Sequence, residues 1–187
     1  MPDEHFTELV SDRIALRRFT PADLGIFVAY RSDPDVARYQ SWDAPYPLAD
    51  GERMISDLHD EHPDTPGEWF QFAMTLRSTN ELIGDCASGT DADDPRQAEI
   101  GFTLCPQFQG RGYATEGARA LLCYLFGARA KHRVTAGCDP RNTASARVLE
   151  RLGMRREGHL RESTWAKREW ADEFRYAILG VEWADRR

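Results

Sequence analysis

The sequence predicts a mixed α/β fold, and three observations lead there. The composition is globular: 187 residues, 41% hydrophobic and 29% charged, long enough to bury roughly 70% of the surface exposed when unfolded. The apolar pattern changes period, helical near the start, alternating through the centre and helical again beyond. The second half sets a strand, a glycine-bearing loop, a helix, a strand and a helix in succession, with no repeat or linker. One domain over residues 1–187 is expected, with about the first 12 residues as a flexible arm.

Arg13 to Phe19 reads as a short strand carrying Ile14, Leu16 and Phe19. Thr20-Pro21-Ala22-Asp23 starts a helix, with an N-cap hydroxyl, proline in the first turn and an acid at the third position. That helix runs to about Arg31, and Asp33-Pro34 breaks it. A short helical piece through Val36 and Tyr39 leads into the aromatic, proline-rich stretch Trp42 to Pro47, and a third helical pattern runs from Leu48 to about His62. Trp69 to Leu76 and Glu81 to Ala87 alternate like the arms of a hairpin. Ala98 to Cys105 is the next strand, with Ile100, Phe102 and Leu104 on one face. A long helix is expected from about Thr115 to Lys131, a strand over Val134 to Cys138, and a helix from Asn142 to Leu152 closed by Gly153. Met154 to Leu160 and Phe174 to Trp183 read as two closing strands.

Charge and cysteine content exclude several classes of function. Lys plus Arg is 24 and Asp plus Glu is 31, a net charge of 24 − 31 = −7. Neutralising nucleic-acid phosphates or an anionic membrane needs clustered Lys and Arg, so neither is expected as a partner. No apolar run approaches the roughly 18 residues of a membrane span. Cys86, Cys105, Cys123 and Cys138 form no C-x-x-C pair and read as reduced thiols of a cytoplasmic protein. The acids of Thr90 to Pro95 lack EF-hand spacing, and His59 and His62 have no identifiable third ligand, so no metal is expected. Cys105 has no histidine placed by sequence to activate it as a nucleophile.

The strongest chemical signal is Gln109-Gly110-Arg111-Gly112-Tyr113-Ala114, between a strand and a long helix. Glycines there let the backbone turn sharply and expose N–H groups, and a helix N-terminus carries partial positive charge; together they make a phosphate cradle. A P-loop would need Gly-Lys-Ser/Thr, and the lysine is missing. A dinucleotide fold would need a third glycine where Thr115 stands. The acid after its next strand, Asp139, comes 139 − 112 = 27 residues after Gly112, against the usual spacing of about 20.

Ala98 to Leu104, Pro106, and Gln109 to Glu116 resemble the acyl-CoA signature, Gln/Arg-x-x-Gly-x-Gly/Ala, of the GCN5-related N-acetyltransferases (GNAT). Asn142-Thr143-Ala144-Ser145, followed by Val148-Leu149 and Leu152-Gly153-Met154, is similar to that family's next helix, in the form typical of the branch that acetylates ribosomal-protein N-termini. The resemblance implies a largely antiparallel central sheet with splayed central strands, flanked by helices. It also implies acetyl-CoA as co-substrate, held by backbone N–H groups over Gly110, Arg111, Gly112, Tyr113, Ala114 and Thr115 after Gln109. Phe102 and Leu104 would lie along the pantetheine arm, the Leu104 backbone would polarise the thioester carbonyl, and Asn142 and Ser145 would face the arm from the next helix.

Direct transfer requires a neutral amine, so a base must take a proton. Glu99 is the first candidate and Glu162 the second. Many family members carry a tyrosine where Leu149 stands; in the branch this chain resembles, the Ser145 hydroxyl protonates the leaving thiolate instead. Tyr39, Trp42, Tyr46, Trp69 and Phe70 either border the acceptor pocket or fill core and rim. The acceptor expected first is a peptide N-terminal α-amine, then a small cationic amine such as an aminoglycoside or polyamine. A non-catalytic acyl-CoA-binding module and a dinucleotide-dependent oxidoreductase stand as alternatives. Oligomeric state is not written in the sequence, a homodimer being one option.

Overall fold

The computed structural model describes residues 6–185. Its strands are β1 (Glu8–Val10), β2 (Ile14–Arg17), β3 (Trp69–Leu76), β4 (Leu82–Thr90), β5 (Gln97–Leu104), β6 (Arg133–Cys138), β7 (Arg155–Ala166) and β8 (Glu169–Leu179). Its helices are α1 (Leu24–Arg31), α2 (Pro34–Ala37), α3 (Leu48–Asp57), α4 (Tyr113–Gly127), α5 (Thr143–Arg151) and α6 (Gly180–Ala184). The strands form one sheet in the order β1-β2-β3-β4-β5-β6-β8-β7. Neighbours are antiparallel except β5 and β6, which are parallel because α4 crosses between them. Among the described residues no helix is long and apolar enough to cross a membrane.

Residues 8–10 are not an arm: β1 pairs antiparallel with β2, and Phe6 is buried, its ring 5.3 Å from Phe72 and 5.9 Å from Tyr124. Such edge-on aromatic pairs contribute about 0.5–1.5 kcal/mol each beyond the area they bury, which holds residues 6–10 to the sheet. Residues 1–5 of the expected arm lie outside the described residues.

Residues paired across strands share a face, and helices cover both faces. On one, α4 lies close because Gly117 has no side chain: a Cβ there would stand 2.7 Å from Met74 Cε and 3.2 Å from both Cys86 Sγ and Ile14 Cδ1. On the other, the Tyr30 hydroxyl of α1 donates to the buried Asp85 carboxylate of β4, and burial pushes Asp85 up from the ordinary value. Next to Tyr30, the guanidinium of Arg31 sits 4.3 Å from the Phe27 ring, 4.0 Å from Trp42 and 5.2 Å from Tyr46. This cage pins the irregular segment between α2 and α3 against the sheet.

The last two strands are longer than the sequence pattern indicates. β7 and β8 form one hairpin reaching a tip at Lys167 and Arg168, both left-handed (φ 52° and 64°). A two-residue turn usually advertises itself with Asn-Gly or Asp-Gly, and Lys-Arg gives no such signal. Beyond β8, residues 180–184 turn into helix α6 rather than continuing as strand.

Candidate active site

The site forms where the sheet opens. β5 and β6 pair only at Gln97 with Arg133, Ala98 with Val134 and Glu99 with Thr135. β5 then runs on to Leu104 beside β4, and β6 to Cys138 beside β8. The wedge between them opens into a cavity of about 300 Å³, lined by Phe102 and Leu104 of β5, Gln109, Gly110 and Ala114 of the glycine loop, and Asn142, Ser145 and Val148 of α5. The side-chain amide of Gln109 donates to the Leu104 carbonyl (3.2 Å), tying the loop to the strand end.

The loop has the geometry an anion needs. Gly110 (φ 74°) and Gly112 (φ 81°) are left-handed, and a Cβ at Gly110 would meet nothing within 4 Å. Gly112 is the N-cap of α4, so the helix begins at Tyr113, two residues before the Thr115 start expected from sequence; the left-handed glycine, not the hydroxyl, sets the boundary. The first intrahelical bond is Glu116 N–H to the Gly112 carbonyl (3.0 Å), leaving the N–H groups of Tyr113, Ala114 and Thr115 without intrahelical partners. Bare donors at a helix N-terminus bind phosphate readily, so these residues fit a pyrophosphate. Arg111, Gly112, Tyr113 and Thr115 build this rim rather than the cavity wall.

From the opposite wall, Asn142 caps α5, its Oδ1 accepting the Ser145 N–H at 3.1 Å. That bond fixes the first turn of α5, and Ser145 and Asn142 also line a narrower cavity of about 80 Å³ with Ile100, Gly101, Gly137, Cys138 and Leu149. Leu149 is buried there.

Beyond lies a third cavity of about 220 Å³, between the segment after α2 and the β7–β8 hairpin. Tyr39 and Gln40 line all three cavities. The hairpin tip is strapped to the other wall: Lys167 Nζ donates to the Trp42 carbonyl and lies 3.0 Å from Asp43 Oδ1. Arg141 bridges Asp139 (2.6 Å) and Glu169 (2.8 Å). Burial pushes the Asp139 carboxyl up, and the bonds from Arg141 more than offset it, so it lies below the usual range.

The expected bases and the acceptor-side aromatics fall unevenly around this wedge. Glu99 lines none of the three cavities; its Oε2 accepts from Arg175 Nη1 at 3.2 Å. Glu162 is a left-handed bulge residue (φ 46°) in exposed β7, its N–H donating to Asp172 Oδ1 (2.9 Å), and it too lines none of them. Tyr46, Trp69 and Phe70 line a separate cavity of about 500 Å³ beside α3, while Trp42 is committed to the Arg31 cage.

One carboxylate in the third cavity has no sequence signal of its own. Glu173 lies across Gly137, where any Cβ would overlap its Oε1. Its Oε2 accepts from Arg175 Nε at 3.0 Å, so one guanidinium fixes both Glu173 and Glu99. A β8 acid paired with an arginine two residues on looks like any strand surface; only Gly137 opposite marks the place. Cysteine chemistry at Cys105 and Cys138 is disfavoured: burial pushes the Cys105 thiol up to about 12 and the Cys138 thiol up to about 11, far from a reactive thiolate at neutral pH.

Residues 13–155 match the family described as acetyltransferase (GNAT) domain. The chain is 31% identical over 175 residues to the uncharacterized N-acetyltransferase YnaD of Bacillus subtilis, covering 94% of this chain and 98% of that one. It is 25% identical over 131 residues to the ribosomal protein uS5-alanine N-acetyltransferase of Escherichia coli, covering 70% of this chain and 65% of that protein. Among solved structures, an acetyltransferase (GNAT family) from Bacillus anthracis superposes with a TM-score of 0.84 at 31% identity, covering 94% of this chain and all of the other. The family match over most of the chain and the relative at 31% identity show that the chain belongs to the GNAT family as an acyl-CoA-dependent acetyltransferase.

Proposed function

We propose that this acetyltransferase acts on the α-amine at a peptide or protein N-terminus. The observation that carries the reading is the cavity of about 220 Å³ past the parted strands, with the Glu173 carboxylate on its lining. It is smaller than the roughly 300–1,000 Å³ of sites that enclose a whole small molecule, so an acceptor would place its tip there and leave its body outside. A chain terminus has that shape. An α-amine, with a pKa of about 8, also gives up its proton more readily than a lysine amine near 10.4. The likeness to a ribosomal-protein alanine N-acetyltransferase points the same way. A small polycationic amine is the second reading, favoured by Asp139, Glu169, Asp172 and Glu173 converging on the same cavity. Four unpaired cysteines suit a reducing, cytoplasmic setting.

Acetyl-CoA supplies an activated acetyl thioester. The N–H groups of Tyr113, Ala114 and Thr115 would hold its pyrophosphate, and Phe102 and Leu104 would line its arm, with the Leu104 backbone polarising the carbonyl. Glu173 Oε1 would receive the acceptor ammonium. Glu99 would take its proton through water, since it lies outside the cavities; Glu162 is the second choice. Ser145 Oγ would pass a proton to the leaving sulfur, the role left open by Leu149.

The test is kcat/KM for short peptides beside spermidine and an aminoglycoside, at two salt concentrations. Peptide turnover abolished by N-terminal formylation, with little turnover of the small amines, is the expected result. Strong, salt-sensitive turnover of a polycation with none of any peptide would reverse the ranking.

A further inference from the structure

Glu116 poses an electrostatic problem. It lies in the first turn of α4, the turn whose free N–H groups form the anion site, and a bare carboxylate there would compete with a phosphate for the same dipole. The β1–β2 hairpin, 103 positions away in sequence, answers it. Glu116 Oε1 accepts from Ser11 Oγ at 2.8 Å and from the Arg13 backbone N–H at 2.7 Å. Its Oε2 accepts from Arg13 Nε at 2.6 Å. The same guanidinium donates through Nη1 to the Arg111 carbonyl (3.2 Å) and stacks on the Tyr113 ring at 4.6 Å. Its Nη2 lies 3.5 Å from where a Cβ on Gly112 would stand. One side chain therefore touches Arg111, Tyr113 and Glu116 and lies beside Gly112.

We propose that Arg13 is a positioning residue for acetyl-CoA: it holds the glycine loop in its left-handed form and cancels the charge of Glu116, so that the pyrophosphate meets donors only. This rests on acetyl-CoA occupying the loop. The bonds from Ser11 and Arg13 also outweigh the effect of burial and keep the Glu116 carboxyl below its usual range, so that charge is present throughout the neutral range.

The test is the Kd for CoA, measured by calorimetry on wild type, Arg13→Ala, Arg13→Lys, Glu116→Gln and the double variant Arg13→Ala/Glu116→Gln. Arg13→Ala is expected to weaken CoA binding about 10-fold or more, a loss in the range of one charge-assisted hydrogen bond. Arg13→Lys should fall between, keeping the charge without the planar fork. The decisive comparison is the double variant, which should bind more tightly than Arg13→Ala because the exposed carboxylate is gone, yet more weakly than wild type because the loop has lost the Arg13 contacts. KM for acetyl-CoA should follow Kd while KM for the acceptor stays unchanged. A double variant as weak as Arg13→Ala, or Arg13→Ala binding like wild type, would overturn the clamp and leave the acetyl-CoA reading intact. A wild type that binds no CoA would overturn both. If Arg13→Ala does not fold, Arg13→Gln with and without Glu116→Gln supplies the same comparison.

Discussion

Gly112 is set by its backbone conformation. Its φ of 81° is costly for any L-residue and most for a β-branched one, while a Cβ there would make only ordinary contact, 3.5 Å from Arg13 Nη2. Gly112→Val is expected to weaken CoA binding by at least about 10-fold, since restoring an ordinary φ turns the helix-start donors away; calorimetry would measure it. Ser145→Ala should lower kcat by more than it raises KM for acetyl-CoA, because the hydroxyl is used as sulfur departs; an unchanged kcat would give the proton to water. Glu173→Gln should raise the acceptor KM, and Glu99→Gln should move the acidic limb of the kcat profile. If Glu173→Gln moves that limb instead, the base is Glu173. Sequence reasoning could reach the glycine loop and the Asn142–Ser145 helix start because both are contiguous motifs whose spacing is itself the site. It could not reach Glu173, Arg13 or Arg175, which act only through partners distant in sequence.

Elements announced themselves in proportion to how conventional their ends are. β3 occupies the residues its alternation indicates, and α5 starts where Asn142 caps it. β1 was hidden by acidic neighbours, and the β7–β8 hairpin by a Lys-Arg tip and the Glu162 bulge. The junction between β2 and α1 carries a pH-dependent lock. Arg17 grips Asp23 through two nitrogens (2.8 and 2.9 Å), and Asp23 also accepts the Thr20 N–H at 2.7 Å. Burial pushes the Asp23 carboxyl up, but these bonds outweigh it, and the folded value lies below the ordinary 3.8. The stability it gives is therefore full above that ordinary value and lost as pH falls through the lowered folded one. Asp23→Asn should cost about 3 kcal/mol at neutral pH, the low end for breaking a buried pair because Arg17 keeps some solvent contact, and should shrink the loss of Tm on acidification. Gly117→Val, which drives α4 off Met74, should also lower Tm, by overpacking worth about 1–3 kcal/mol.

At the scale of the whole molecule, the proposed CoA cleft draws on β5, α4 and α5 at once, so ligand binding and folding should be linked. At a CoA concentration 100 times Kd, binding to the native state alone adds about 2.7 kcal/mol of stability, and thermal melts with and without CoA would read it. No shift with CoA, acetyl-CoA or longer acyl-CoAs would count against the cleft as a CoA site. The two halves of the cleft are also unequally distributed along the chain. The proposed cofactor half lies within residues 13–155, where the family match runs. Lys167, Glu169 and Glu173 lie beyond it on a hairpin fastened by one lysine to a loop some 125 positions earlier. The outer part of the hairpin lies beyond the β6 pairing: replacing residues 160–173 with the corresponding hairpin tip of a relative should transplant acceptor preference while leaving CoA affinity near wild type. A lineage could re-target the enzyme by drift in this short stretch while the thioester-handling portion stayed fixed.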